Sequence, residues 1–336
     1  MRCLSSRRTR FSLWLTAGLV CILVAPADAQ SQADRTETLK RTINIGRKGF
    51  LDLSNLSGRI AITSGSDEVI IEAVKQVRNA SDATVKALMS GVRIDITERS
   101  DRVVVRTTYD RQPHRGPGWV TVDYTIRVPA ETTVELRSVS GDIELQNLQG
   151  EVRVQSVSGD QRLVNIRNLG LARTVSGDID ATDVASAAEA SVTTVNGDVR
   201  ARNFKTSRLE VRTISGDLEL FDLHCDRLEV SSVSGDVHFR GPLSPTGRYG
   251  LHSQSGNLTL GLSTGGFDLD AHSYSGNIKT DFPIVAREVS RPDDPQRGRG
   301  RASRTGRTRT LRGSYERGGA MVEVRSMNGN ITIVRN

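Results

Sequence analysis

One short motif limits what this chain can fold into. It reads Ser/Thr-x-Ser/Asn-Gly-Asp/Asn, and its glycines fall at Gly141, Gly159, Gly177, Gly197, Gly216, Gly235, Gly256 and Gly276, then at Gly329. The first seven intervals are 18, 18, 20, 19, 19, 21 and 20 residues. An outlying early copy is Ser57-Gly58-Arg59-Ile60. Aligned on the glycine, the repeats form ladders of small apolar residues. Leu136, Val154, Ala172 and Val192 stand five before it; Ile143, Ile179, Val199 and Leu218 stand two after it. Polar residues alternate with them, the period of half-buried strands.

Each repeat therefore predicts two short strands flanking a tight turn, where the glycine suits a positive φ. One unit cannot bury its apolar face alone, so stacking of coils about 4.8 Å apart is required. A meander of hairpins would alternate too, but would not hold one residue type at one phase of every copy. The expected fold is all-β: a β-solenoid of 18–21-residue coils with two short strands per coil. Composition agrees, because with 36% hydrophobic and 4% aromatic residues an ordinary globular core would be thin.

The flanks differ from the repeats. Residues 1–29 hold Arg2, Arg7, Arg8 and Arg10, an apolar run from Phe11 to Ala25, and Ala27-Asp28-Ala29. This is the pattern of a cleaved export signal, too short to span a bilayer. Its removal leaves Cys225 as the one cysteine, so no intrachain disulfide is expected. Residues 30–137 are expected as a strand-rich start and cap, with a short helix over Asp82–Met89 between Ser81 and Gly91. The repeat solenoid spans 138–282. Residues 283–314, rich in Pro, Gly and Arg, are expected as a disordered loop. Residues 315–336 are expected to close the fold as a hairpin carrying the Gly329 rung. The formal charge of +7 is uneven: +3 lies in 1–29 and +6 in 287–317, leaving −2 for the rest.

The arrangement resembles the bacterial "putative adhesin" domain family, envelope proteins of unknown function. The matching residues are Leu53-Ser-Asn-Leu-Ser-Gly-Arg-Ile-Ala-Ile62, Tyr124-Thr-Ile-Arg-Val-Pro129, the Ser-Val-Ser-Gly-Asp copies, and Ser326-Met-Asn-Gly-Asn-Ile-Thr-Ile333. The resemblance implies a β-solenoid and an exported location, and brings no catalytic residues.

Three features are candidate sites. Asp142, Asp160, Asp178, Asp198, Asp217 and Asp236 follow their glycines, and Asn257, Asn277 and Asn330 continue the line. Stacking would hold the carboxylates about 5 Å apart, with repulsion of about 1 kcal/mol per neighbouring pair at high dielectric. Either each Asp bonds its own turn amides or calcium bridges them. His252 and His272 share a column with Arg173, Arg212 and Arg325, which reads as a polar strip lacking a third metal ligand. Arg297, Arg299, Arg301, Arg304, Arg307, Arg309 and Arg312 offer an anionic glycan or lipid a basic loop. Without aromatics among them, nucleic acid is not an expected partner.

No Gly-x-Ser-x-Gly elbow, His-Glu-x-x-His pair or phosphate-binding glycine loop occurs. The sequence is thus read as a non-catalytic envelope protein without cofactor, either binding a surface ligand or acting as a scaffold. The alternative is a polysaccharide-active parallel β-helix. A lateral groove holding Tyr249 and Tyr274 beside two close acids would favour that alternative.

Overall fold

The computed structural model describes residues 35–78, 80–110, 118–263, 265–286 and 309–336. The expected export signal lies outside them. Within Ala33–Asn336 the described residues form one compact unit, built from two sheets of 13 and 14 strands. Among the described residues there is one helix, Asp82–Ser90, where the Ser81 and Gly91 signals place it. No described helix is long and apolar enough to cross a membrane.

The chain winds as the repeat requires. The strand before each glycine joins the 14-stranded sheet and the strand after it joins the 13-stranded sheet, as with Thr133–Ser140 and Ile143–Gln146. Successive coils pair in parallel and in phase: Val154 lies beside Leu136, and Gln161 beside Ile143. The column five before the glycine is buried from Leu53 through Val192 to Ala271. Residues two and four after it bury against it from the other sheet, as Ile143 and Leu145 do. Gln161 interrupts this apolar column. It fits because its Nε2 donates to Ser156 Oγ at 2.8 Å and to the Arg173 carbonyl at 2.7 Å.

A second corner lies six residues after the glycine. Asn147, Asn165, Asp183, Asn203 and Asp222 all have φ between 50° and 58°. This left-handed region is one that Asn and Asp tolerate better than other side chains. Just beyond it Leu148, Ile166, Val184, Phe204 and Leu223 turn inward and close the third side of the core.

The early Gly58 copy is the first regular rung: Phe50–Ser57 pairs with Thr133–Ser140, and Ile60–Ser64 with Ile143–Gln146. Below it Arg102–Tyr109 and Trp119–Val128 pair in parallel with those same strands, making a coil without the motif. Antiparallel strands then cap the stack, Val92–Glu98 on one sheet and Val69–Arg78 with Arg35–Ile43 on the other.

The opposite end departs from expectation. Residues 320–335 are not a hairpin: Ala320–Asn328 and Ile331–Arg335 lie in different sheets and form one coil. Nor is that coil the last. It slots between the coil of Gly256 and the coil of Gly276, pairing in parallel with both. Two strands, unlike a hairpin, extend both sheets, and the interposed position gives each of them a parallel partner on both sides.

The predicted loop is also strand at both ends. Val285–Ala286 and Arg309–Tyr315 pair antiparallel, and the latter pairs with Phe267–Ser273. Tyr315 brings its ring to 5.5 Å from Phe267 and 4.9 Å from Phe282, covering the end of the core. Residues 287–308 lie outside the described residues.

Candidate functional site

The aspartate line is a hydrogen-bond ladder between coils, not a set of closed turns. Asp142 Oδ1 accepts from the Asp160 amide at 3.1 Å, and Asp160 Oδ1 from the Asp178 amide at 2.9 Å. The same bond recurs at 2.8 Å from Asp178 to the Asp198 amide, from Asp198 to Asp217, and from Asp217 to Asp236. The Asn257 amide donates to Asp236, and the side-chain oxygens of Asn257 and Asn330 then accept from the Asn330 and Asn277 amides, where the ladder ends. Asp123 supplies the equivalent bond to Arg59 at 2.8 Å below the first rung. One carboxylate oxygen per rung is thus committed to a backbone N–H. Arg200 draws in the other oxygen of Asp178 and Asp198, at 3.3 and 2.9 Å. Among the described residues no group of three His, Cys, Asp or Glu gathers around one point.

Asp217→Ala is expected to lower stability by about 1–2 kcal/mol, because it orphans the Asp236 amide. Asp217→Asn keeps the acceptor and removes one stacked charge, so it should be neutral or slightly stabilising. Chemical denaturation of both variants measures this.

The arginines of the predicted loop divide. Arg297, Arg299, Arg301, Arg304 and Arg307 lie outside the described residues. Arg309 and Arg312 are not loop residues but belong to the strand Arg309–Tyr315. Arg312 Nε donates to Asp270 Oδ1 at 2.8 Å, and its Nη2 lies 3.1 Å from His272 Nε2.

That contact borders a groove. The interposed coil places Arg325 between His252 and His272, in register on neighbouring strands. Beside this column Val233, Gln254, Met327 and Tyr274 complete an open groove of about 450 Å³. The Tyr274 ring is half exposed. Ser232, Ser253 and Ser326 form its floor; their buried hydroxyls have no hydrogen-bond partner among the described residues. Tyr249 does not join Tyr274 in the groove and is buried: its hydroxyl donates to the Cys225 carbonyl at 2.8 Å and accepts from the Ser244 amide at 2.7 Å. Two acids stand on the same strands outside the groove lining, each ion-paired to an arginine: Asp270 with Arg312, Glu323 with Arg325. The Cys225 thiol is pushed up to about 12 by burial and by the nearby Asp226, so it is not a nucleophile at neutral pH.

A further column is not evident from the sequence reading. The residue two before each glycine points outward from the 14-stranded sheet. Leu56, Val139, Val157, Val175, Ile214, Val233, Met327 and Tyr274 make up eight of the eleven exposed large hydrophobics among the described residues. The signal lies in the Ser-Val-Ser-Gly-Asp copies, whose Val is apolar yet one residue out of phase with the core.

Three solved structures match the chain at low identity. A protein described as a "putative adhesin" from Bacteroides fragilis is 11% identical, with 89% of this chain and 97% of that one covered, at a TM-score of 0.39. A "putative adhesin" from Parabacteroides distasonis is 10% identical over the same shares, at 0.42. A "Putative lipid binding protein" from Parabacteroides distasonis is 12% identical, again over 89% and 97%, at 0.40. No curated protein matches the chain. The family described as Toastrack DUF4097 matches residues 51–334, from the first rung strand to the last strand of the interposed coil. With nearly every rung of the stack inside that match, the chain belongs to the Toastrack DUF4097 family.

Proposed function

We propose that this chain is an exported, non-catalytic scaffold of the cell envelope with adhesin-like binding, and that its groove holds an anionic glycan. The observation that carries this reading is the line His252–Arg325–His272 beside the exposed Tyr274 ring. A sugar ring stacks on an aromatic face, and a carboxylate or sulfate takes donors from a guanidinium and imidazoles. The leader-like residues 1–29 support export. The ion pairing of Asp270 and Glu323 favours binding over hydrolysis, because a glycosidase needs a carboxyl free to give a proton. The aspartate ladder serves as an inter-coil bond, and calcium is not required for it.

The test is an array of acidic and neutral glycans probed with the mature protein, with and without calcium. Arg325→Ala and Tyr274→Ala should each weaken binding to acidic glycans at least tenfold and leave the melting temperature within a few degrees. Calcium should change nothing. Equal binding by wild type and both variants would refute the groove as the site.

A further inference from the structure

The apolar column runs unbroken through seven rungs: Leu56, Val139, Val157, Val175, Val195, Ile214 and Val233. At about 4.8 Å per rung it is roughly 29 Å long. Gln254 interrupts it next, at the edge of the groove. Six of the seven are 37–49% exposed, although the alternating pattern of a half-buried strand puts polar residues on the outer face. The opposite sheet does otherwise: its outer face carries Glu144, Arg162, Asp180, Arg200 and Glu219 on successive rungs. The strip amounts to on the order of 500 Å² of apolar surface, at the upper end of what a monomer leaves uncovered.

Two features identify the occupant. The first is period. A strip with one knob every 4.8 Å meshes along its whole length only with a surface of the same period, and a second copy of this chain has it. The second is charge. Four before the glycine, on one side of the strip, stand Arg137, Arg173 and Arg212; beyond the corner on the other side stands the aspartate ladder. A two-fold axis along the solenoid lays strip on strip and brings arginines of one copy over aspartates of the second on alternate rungs, Arg173 over Asp178 among them. An antiparallel arrangement opposes arginine to arginine. An anionic bilayer is the weaker fit, since the aspartate ladder runs along one edge of the strip and would face it.

We propose that the chain forms a parallel two-fold dimer through the Leu56–Val233 strip of the 14-stranded sheet. Strip and flanks together approach the roughly 800 Å² per partner of a stable interface. The interface is isologous, so each strip residue meets its own copy at the axis. It meets the groove only at Val233, on the groove's edge, and does not depend on what the groove binds.

Light scattering after size exclusion of the mature protein, at 1–100 µM, should give a dimer. The Val157→Lys/Ile214→Lys double variant should dissociate at least 100-fold more readily, with circular dichroism unchanged because both side chains point to solvent. Val139→Cys and Val233→Cys, at separate points on the strip, test the geometry without added charge. Each should oxidise to a covalent dimer with itself, and a mixture should give few crossed products. The buried Cys225 thiol adds no background. A monomeric wild type at 100 µM overturns the proposal, as does a mixture in which disulfides form only between the Val139→Cys variant and the Val233→Cys variant.

Discussion

Ending the chain at Gly318 is expected to release the C-terminal end of the solenoid. The removed segment supplies Ala320, Val322, Val324, Ile331 and Ile333, all fully buried. It is also the parallel partner of both Phe267–Ser273 and Ile278–Thr280. Without it the coil of Gly276 faces the coil of Gly256 across an empty rung, and the Phe267–Phe282–Tyr315 cap loses the support beneath it. At about 1.5–3 kcal/mol per large buried aliphatic side chain, the loss approaches 10 kcal/mol, the size of a whole domain's stability. In a repeat protein such a loss stays near its origin, because each coil contacts only its neighbours. Hydrogen exchange should therefore find residues 267–282 unprotected and the Gly256 coil frayed, while residues 133–240 keep native protection. Protection of 267–282 in the truncated chain would show that the end coil is held by something other than the interposed one. Excising 291–306 alone should cost little, since Arg309–Tyr315 remains and closure entropy changes only slowly with loop length.

The solenoid was legible because its rule is local. Ser-Gly-Asp at a fixed phase and Val five residues before it report one turn and one inward side chain, and neither depends on distant sequence. The aspartate ladder was legible in position and not in partner: a column of Asp identifies a shared corner, but only stacking reveals that the acceptor serves the next coil. The rank of the Gly329 coil was hidden for a different reason. Parallel pairing is set by which coil finds a vacant neighbour, and order along the chain carries no trace of an insertion between earlier rungs. The Asn147–Asn165–Asp183–Asn203–Asp222 corner stands at a constant six residues after the glycine. It does not announce itself, because Asn and Asp also populate ordinary surface loops. Arg309–Tyr315 is hidden among arginines: Leu311, Gly313 and Tyr315 alternate inward, but with a glycine in the middle position they leave no apolar period to read.

Substituting a single methyl at Gly216 is expected to be among the most damaging point changes in the molecule. A Cβ there would run into the Gly197 carbonyl oxygen, and would sit 2.5 Å from the carbon of that carbonyl. The obstacle is backbone of the preceding rung, held by its own strand pairing, so no rotamer change relieves it. The φ of +140° adds strain of about 1–3 kcal/mol for any side chain. The remaining way out is to part the two coils, which breaks the Asp217–Asp198 bond and loosens the contact of Leu218 with Val199. Gly216→Ala should therefore cost more than about 4 kcal/mol, a range reserved for backbone strain and core disruption. Gly250 provides the contrast: its φ is ordinary, and a Cβ would meet nothing nearer than His252 Nε2 at 3.5 Å. Gly250→Ala should be within about 1 kcal/mol of wild type, or better, since it lowers the entropy of the unfolded chain. Thermal and urea unfolding of the pair separates the two explanations for a glycine at constant phase. If Gly216→Ala melts near Gly250→Ala, the glycine column is a matter of turn preference and not of contact between rungs.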